Sequence, residues 1–365
     1  MIPAKATHEQ LKRHNRQLLL RAVVSGLANS RASLAQITGL AKPTVSDLIA
    51  ELLNEGFLIE GEFGEAGETG GKRPRLLEFV PDARQIIGAS IGADGVTAVL
   101  TNLNGDISAA HHADLRGATG EAALAVLEHA LNGLVAQLDA PLLCIGVGVA
   151  GIVDTANGVV IESGMLGWRD LAIVPTLEKH FGAPVYVGNI TEMATRAQAA
   201  GSSPSQRLVT LFINGGVEFG MVLDGAHSFG SDIGAIDALG TGVQPLSALM
   251  SLSPNLKPHL ADHVAVGYHA RFGDPDALRV IDDHARGLAH ALKWVIGLLR
   301  PDRITLVGPI ADYGSPFLDR LRGALAAHVP SGWLDAAEIS LVNADYYMSA
   351  SGAVVLALQK ELGIP

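Results

Sequence analysis

Residues 31–75 read RASLAQITGLAKPTVSDLIAELLNEGFLIEGEFGEAGETGGKRPR, a pattern that predicts two helices followed by two strands. The first helix ends at Gly39, and Pro43 opens the second, since its missing N–H would have no intrahelical partner there. Gly56 ends the second helix, and two strand-like runs then flank a glycine-rich, basic tip. Helix, turn, helix and a two-stranded wing in this order are typical of DNA-binding modules. We therefore predict a winged helix-turn-helix domain over residues 1–80.

The second of these helices is predicted to enter the major groove. Its apolar residues recur every three or four positions, which is the spacing of one buried helical face. The exposed start of the same helix carries short polar and charged side chains that can reach base edges. These predicted DNA-contacting residues are Lys42, Thr44, Ser46 and Asp47.

Two further basic groups are predicted to contact the duplex. An earlier helix over roughly residues 9–24 presents Lys12, Arg13 and Arg16, which we expect to face phosphates. At the wing tip, Lys72 and Arg73 are expected to enter the minor groove or bind phosphates. A helical hairpin for protein contacts, with a solvated basic loop, is the alternative interpretation.

The helix between these groups has a predicted start of its own. Ser33 and Gln36 have the spacing of a capping box, so we expect the helix to begin there.

The composition indicates large cores behind this module. The chain has 365 residues, of which 48% are hydrophobic and only 17% charged, so we expect more than one domain. The net charge of −11 divides into +1 over residues 1–80 and −12 over the remainder. The acidic part should repel DNA and so favour a single docking geometry of the head. No apolar run is long enough to span a membrane and the N-terminus has no apolar signal segment, which predicts a cytoplasmic protein.

The remainder of the chain predicts two α/β lobes. Strand-like and helical segments alternate twice, and an Asn-Gly pair at 104–105 marks a β-hairpin turn. We assign residues 82–188 with 345–365 to the first lobe and 189–344 to the second, with a cleft between them.

Several segments of this sequence resemble those of a known family. The segments IGVGVAGIVDTANGVV, SGMLGWRDL, FGAPVYVGNITEMATRAQAAG and LDGAHSFGSDIGA are similar to those of the ROK family of sugar kinases and sugar-responsive repressors. The segments LKRHNRQLLL, AKPTVS and GGKRPRLL resemble the head of the repressor branch. The resemblance covers essentially the whole chain. It implies an α/β fold class, with an N-terminal winged helix-turn-helix followed by a two-lobed, actin-like (ribonuclease H-like) ROK body.

Departures from the family pattern argue against a kinase. The family kinases carry an Asn-Asp pair whose Asp is the general base, and here the pair is Asn189-Ile190. An isoleucine cannot accept a proton. The phosphate turns are also altered, to Gly-Ala-Asp at 92–94, Asn-Gly-Gly-Val-Glu at 214–218 and Gly-Pro at 308–309. We therefore expect no catalytic residues and no bound nucleotide.

No metal or other cofactor is expected. The family's zinc site combines a histidine with clustered cysteines, whereas this chain has Ala235 at the histidine position and a single cysteine, Cys144. These residues cannot supply four tetrahedral ligands. We interpret Cys144 as a buried structural thiol, and the adjacent pair His111-His112 as a surface feature, since neighbours on a strand point to opposite faces.

The sugar pocket that the resemblance implies is only partly retained. Gly151 and Asn189 match family positions, and Asp232 replaces a family glutamate. Trp168 and Glu192 are the other candidate ligand residues. In the alternative interpretation, Trp168 packs in the core and Asn189 stabilises a loop.

Three hypotheses follow for the function. In the first, the chain is a transcriptional repressor that binds a double-stranded operator as a homodimer or dimer of dimers and responds to a sugar, without membrane contact. In the second, it is a sugar kinase with a regulatory DNA-binding head. In the third, it is a repressor that answers to a partner protein and binds no small molecule.

Overall fold

The computed structural model describes residues 7–64, 73–92, 95–200, 206–213, 217–223, 227–232, 246–343, 345 and 347–364. Over these residues the chain forms a small N-terminal head followed by two α/β halves, each built on a five-stranded sheet.

Three helices and a two-stranded antiparallel sheet make up the head. Their bounds are α1 His8–Val24, α2 Arg31–Thr38, α3 Lys42–Asn54, β1 Leu58–Phe63 and β2 Arg75–Phe79. Thr7 caps α1 in a capping box with Gln10. Ser30 caps α2 in the same way with Ser33. The predicted start of α2 at Ser33 and Gln36 is therefore wrong, because Ser33 is already the third residue of the helix.

The first half is a mixed sheet with the strand order β10-β6-β3-β4-β5. Strands β3 to β5 form an antiparallel meander, whereas β6 and β10 run parallel to β3. A separate three-stranded sheet, β7-β8-β9, lies beyond the end of β6. The bounds are β3 Gln85–Gly92, β4 Gly95–Thr101, β5 Ile107–Ala113, α4 Glu121–Val135, β6 Leu142–Val149, β7 Ile152–Asp154, β8 Val159–Ser163, β9 Trp168–Leu171, α5 Ile173–Phe181, β10 Val185–Asn189 and α6 Ile190–Ala199.

The second half repeats the same strand topology. Its order is β13-β12-β11-β14-β15, again a meander of three antiparallel strands followed by two parallel ones. The bounds are β11 Leu208–Ile213, β12 Val217–Leu223, β13 His227–Asp232, α7 Leu246–Leu249, α8 His263–Arg271, α9 Pro275–Leu299, β14 Arg303–Val307, α10 Ser315–Ala326, α11 Ser331–Asp335, β15 Glu338–Val342 and α12 Met348–Leu362. The repeated topology is the reason that the sequence pattern alternates twice.

The last helix, α12, returns to the first sheet and packs against α6. Two glycines make this contact close. A Cβ atom at Gly146 on β6 would overlap the carbonyl of Ala353, and one at Gly352 on α12 would overlap the carbonyl of Met193 on α6. Because no side chain separates the backbones, a displacement of α6 is transmitted directly to α12.

Head and body share one hydrophobic core. Leu19 and Ile49 of the head belong to the same buried cluster as Cys144 on β6 and Leu358 on α12. The head is thus packed onto the body and not simply joined to it by a linker. Among the described residues, no helix combines the length and apolarity needed to cross a bilayer.

Candidate functional site

The start of α3 presents polar side chains that the protein does not use internally. Lys42, Ser46 and Asp47 are exposed and Thr44 is half-buried. Within the described ranges, none of these four forms an ion pair or hydrogen bond, and no side chain caps the helix at Ala41. The free N–H groups and the helix dipole at this end both favour an anionic partner. All four predicted residues are therefore available to a ligand on one surface of the head.

The wing continues this surface. Strand β1 pairs with β2 from Leu58 opposite Phe79 to Phe63 opposite Arg75. Arg73 is exposed and lacks an ion-pair partner in the described part of the chain. Lys72, the other predicted wing residue, lies outside the described residues.

The basic residues of α1, predicted to contact phosphates, also have partners within the protein. Lys12 Nζ lies 2.7 Å from Glu51 Oε1 on α3. The guanidinium of Arg16 binds both carboxylate oxygens of Glu55, with Nη1 at 2.6 Å from Oε1, and lies over the ring of Phe57. This hydrogen bonding from Arg16 lowers the pKa of Glu55. Both ion pairs join α1 to the C-terminal end of α3.

Arg13 and two neighbours on α1 bind the carboxyl end of α12. Arg13 Nη2 donates to the carbonyl of Lys360 at 2.9 Å, and Gln17 Nε2 donates to the same oxygen at 3.0 Å. Arg21 Nε donates to the carbonyl of Gly363 at 2.7 Å. The last carbonyls of a helix have no intrahelical partner and carry the negative end of its dipole, so cationic donors stabilise them. Arg13 is therefore a contact between head and body, a role that the sequence did not indicate.

A cleft of about 690 Å³ opens beside this junction. Arg13 also contacts Tyr186 and Glu361 there, at 3.3 and 3.4 Å, and the Tyr186 hydroxyl donates to the Glu361 carboxylate. Burial raises the pKa of Tyr186, so the phenol stays protonated and keeps donating. Arg84 crosses the same cleft to donate to the carbonyl of Glu55 at 3.0 Å.

Three of the predicted ligand residues meet where α6 begins. Asn189 is the N-cap of α6, and its Oδ1 accepts the N–H groups of Thr191 at 2.9 Å and Glu192 at 3.2 Å. Its Nδ2 donates to the carbonyl of Gly151 at 2.9 Å. Gly151 has φ +146°, and a Cβ there would overlap the carbonyl of Glu162, so the position requires glycine. Among the described residues, only one of the two amide hydrogens of Asn189 has an acceptor within the protein.

Glu192 belongs to a buried polar network that joins both halves of the body. Its carboxylate accepts from Arg196 Nε at 3.3 Å and from the Ser228 hydroxyl. The guanidinium of Arg196 also donates to Ser228 on β13 and to the side chain of Gln359 on α12. Glu192 is 6% exposed and Arg196 7%, so these charges depend on each other for compensation. Burial lowers the pKa of Arg196, and the Glu192 carboxylate opposes that shift.

A second contact ties the start of α6 to the other half. The Thr191 hydroxyl donates to the Glu218 carboxylate on β12. Glu218 stands opposite Asp232 in the β12–β13 ladder. The backbone of Asp232 is therefore placed close to the start of α6, while its side chain lies outside the described residues.

Trp168 does not line this site, contrary to the prediction that it offers a sugar an aromatic face. Its side chain packs in the core of the first half and is 5% exposed. The indole Nε1 donates to the carbonyl of Gly120 at 2.9 Å, which satisfies its only donor.

The residue in place of the family base is apolar and packed. Ile190 is half-buried, and its Cδ1 lies close enough that a Cβ at Gly92 would be 3.1 Å away. Gly92 ends β3, next to the first altered phosphate turn, of which residues 93–94 lie outside the described part. The second altered turn, at 214–216, and Ala235 also lie outside it.

Cys144 is a core residue. Its thiol is fully buried in the core that head and body share, and burial raises its pKa. It has the structural role that the sequence indicated.

Sequence reasoning missed the residues that connect the cleft to the head. Arg196, Gln359 and Tyr186 join segments 163 to 175 positions apart, and nothing local in the sequence marks such pairs.

Comparisons with known proteins agree with this geometry. The sequence pattern of the ROK family matches residues 86–240. A putative xylose repressor from Caldicellulosiruptor sp. (strain Rt8B.4) is 27% identical over 353 residues, which cover 86% of this chain and 88% of that protein. A glucokinase from Halalkalibacterium halodurans is 24% identical over 255 residues, covering 60% of this chain and 77% of its own.

A solved structure extends the likeness to the whole fold. The crystal structure of a ROK family transcriptional regulator, a homologue of the E. coli MLC protein, superposes with a TM-score of 0.81 at 22% identity. The match covers 96% of this chain and 98% of that one, so head and body are both included. The predicted fold class is thereby confirmed. The family pattern in the body and a relative that spans head and body lead to one conclusion: residues 86–240 match the ROK family, and the whole chain has the fold of a ROK family transcriptional regulator.

Proposed function

We propose that this protein is a sequence-specific, DNA-binding transcriptional repressor whose ROK body senses a sugar or a closely related small molecule. The observation that carries the proposal is that the polar residues of the head fall into two groups, one exposed and one paired within the protein. Lys42, Ser46, Asp47 and Arg73 point away from internal partners, whereas the basic residues of α1 are bound within the protein. The relative from Caldicellulosiruptor, which spans head and body, is named as a repressor.

DNA binding is tested by selecting sites from a random duplex library and measuring anisotropy on the selected sequence over a salt series. A phosphate-binding protein loses affinity with salt, with a slope of about 0.9 per contacted phosphate. We expect Arg73→Gln to reduce that slope by about one such step. The proposal is wrong if the library yields no consensus sequence, or if the DNA affinity does not depend on salt.

The effector is proposed to bind beside the start of α6. The side-chain amide of Asn189 and the polar groups near Glu192 are the kind of donors and acceptors that hydroxyl-rich ligands need. Asp232, whose backbone pairs with Glu218 in the β12–β13 ladder, is the further ligand residue that the family resemblance implies. The relative's name suggests a pentose. A thermal-shift panel of pentoses, hexoses and their phosphates tests this, because a ligand that binds only the native state raises its stability by mass action. If no compound shifts the transition, the hypothesis of control by a partner protein takes precedence.

We propose that α12 transmits the effect of ligand binding from the start of α6 to the head. Asn189, at the proposed effector site, is the N-cap of α6, and Arg196 of the same helix donates a hydrogen bond to Gln359 on α12. The next carbonyl, that of Lys360, binds Arg13 of the head. A ligand that shifts α6 against β13 therefore also shifts the surface on which the head is docked. Such coupling is typically worth about 1–3 kcal/mol, or a 5- to 150-fold change in DNA affinity.

We propose that the protein has no kinase activity. Ile190 occupies the position at which the family kinases carry a proton acceptor, and it packs on Gly92. The glucokinase relative keeps the kinase hypothesis open to test. The assay is incubation with ATP and each sugar, followed by detection of sugar phosphate, with a known glucokinase as the positive control. Turnover above the enzyme-free rate would overturn this part of the proposal.

A homodimer is proposed as the DNA-binding form in the cytoplasm, since one head reads too few bases for a specific site. Trp294 and Leu298 lie one turn apart on α9 and are 65% and 77% exposed, an apolar pair suited to contact a second copy. Light scattering on the purified protein gives the mass, and Leu298→Glu is expected to lower it if this face joins the subunits.

A further inference from the structure

Three side chains in the second half converge as a cation site outside the effector cleft. They are His259 in the short helical turn before α8, His269 in the last turn of α8, and Asp274 at the N-cap of α9. One ligand atom from each lies within 4.8 Å of the other two. His259 Nε2 and Asp274 Oδ2 are already 3.1 Å apart, close to the separation of two ligands on one zinc ion.

The backbone holds two of these groups together. The Asp274 N–H donates to the carbonyl of His269 at 3.2 Å, and Gly273, with φ +81°, allows the tight turn between them. The imidazoles of His259 and His269 meet edge to face with ring centroids 4.8 Å apart. The cluster is therefore set by the junction of α8 with α9, and only side-chain rotation separates it from a closed site.

The carboxylate is oriented for ligation. Asp274 Oδ1 accepts the backbone N–H groups of Asp276 at 2.9 Å and Ala277 at 3.0 Å, so that Oδ2 is left for His259. The neighbouring cation, Lys257, is bound by Asp276. Hydrogen bonds of this kind fix ligand orientation in known metal sites.

We propose that His259, His269 and Asp274 form a site for one borderline divalent transition metal, of which Zn²⁺ is the representative. Two imidazoles and a carboxylate suit Zn²⁺, Co²⁺ or Ni²⁺, whereas Mg²⁺ and Ca²⁺ prefer oxygen ligands alone. Water completes the coordination, since the cluster lies at the surface. The bound ion links the turn at His259 to α8 and to the start of α9. This site uses none of the residues of the family's zinc cluster and does not depend on the repressor proposal.

The test uses the full chain, freed of any affinity tag and stripped with a chelator that is then removed by dialysis. Titration with ZnCl₂ in a calorimeter should give one ion per chain, and CoCl₂ should give a visible d–d absorption band. His259→Gln and His269→Gln should each weaken Zn²⁺ binding by at least about tenfold. Asp274→Asn is the third variant, because asparagine still caps α9 but carries no charge. His129→Gln, at an exposed histidine on α4, is the matched control and should bind Zn²⁺ as the wild type does.

Two results would overturn the proposal. One is that the stripped wild type binds no stoichiometric Zn²⁺. The other is that His269→Gln and Asp274→Asn, folded by circular dichroism, both retain the wild-type affinity, which would place the ion on other histidines.

Discussion

Replacing Arg16 by glutamine separates two roles for the basic side chains of α1. If Arg16 contacts phosphate, the change weakens DNA binding and leaves the head intact. The structure instead has both guanidinium nitrogens on the Glu55 carboxylate, so the change should destabilise the head. A hydrogen bond to a charged group contributes about 1.5–3 kcal/mol, but the two side chains are 22% and 38% exposed and solvent screens the pair. We therefore expect a coupling energy of about 1 kcal/mol.

The assay is a double-mutant cycle in urea with Arg16→Gln, Glu55→Gln and the double variant. The contribution should depend on pH in a defined direction. Because the pKa of Glu55 is lowered by Arg16 in the folded state, its stabilisation is present above the unfolded pKa, about 4.3, and is lost as pH falls through the folded value. The coupling measured at pH 7 should accordingly decrease as the pH is lowered and disappear once the folded carboxyl is protonated.

The same variants are then tested for DNA binding over a salt series, with Arg73→Gln as the matched loss of a positive charge. Arg16→Gln should leave the salt slope unchanged, whereas Arg73→Gln should reduce it by about 0.9. A reduced slope for Arg16→Gln, together with zero coupling to Glu55, would refute the reasoning and restore the role in phosphate binding.

Three further outcomes are expected. Arg196→Met should lower the free energy of unfolding, measured in urea, by about 3–5 kcal/mol, because it leaves the Glu192 carboxylate buried without its cation. Adding Glu192→Gln should recover part of that loss. If it recovers none, packing and not charge determines the effect. Gln359→Leu should preserve the DNA affinity in the absence of effector but reduce the effector-induced change in that affinity at least fivefold. Both affinities are measured by anisotropy, with the sugar that the thermal-shift panel identifies. An unaltered response would rule out the route through α12. Ser46→Ala should relax sequence preference in a repeated site selection while the salt slope stays the same, and a lower slope without any loss of preference would contradict its placement at base edges.

The fold was largely predictable because its signals are local. The Asn-Gly pair at 104–105 was predicted to mark a hairpin turn, and it lies between β4 and β5, which pair antiparallel. Helical periodicity and Pro43 likewise predicted the helix that the structure has over Lys42–Asn54. Strands β9 and β13 were not predicted, since they are short and polar and owe their form to pairing with neighbours.

The candidate site was less predictable, because side-chain partners are set by tertiary contacts. The pattern that exposes Lys42 and Ser46 is local to one helix, and the structure leaves both exposed. Two partners of Arg13, Lys360 and Glu361, lie on a helix about 350 positions away, and no spacing rule could have indicated them. Trp168 illustrates the same limit. From the sequence alone, an indole in a glycine-rich turn is equally compatible with stacking on a bound sugar and with packing in the core.

The docking of α1 on the end of α12 also bears on biosynthesis. It joins residues separated by 342 to 347 positions, so the head leaves the ribosome long before the surface that anchors it. At about 5–20 residues per second, the head waits roughly 20–70 s for that surface to be made. The orientation in which it meets an operator is therefore fixed late in maturation. A substitution that slows folding of the body would yield a poor DNA binder even with its recognition helix intact, and a genetic screen for lost repression would recover changes far from any nucleotide.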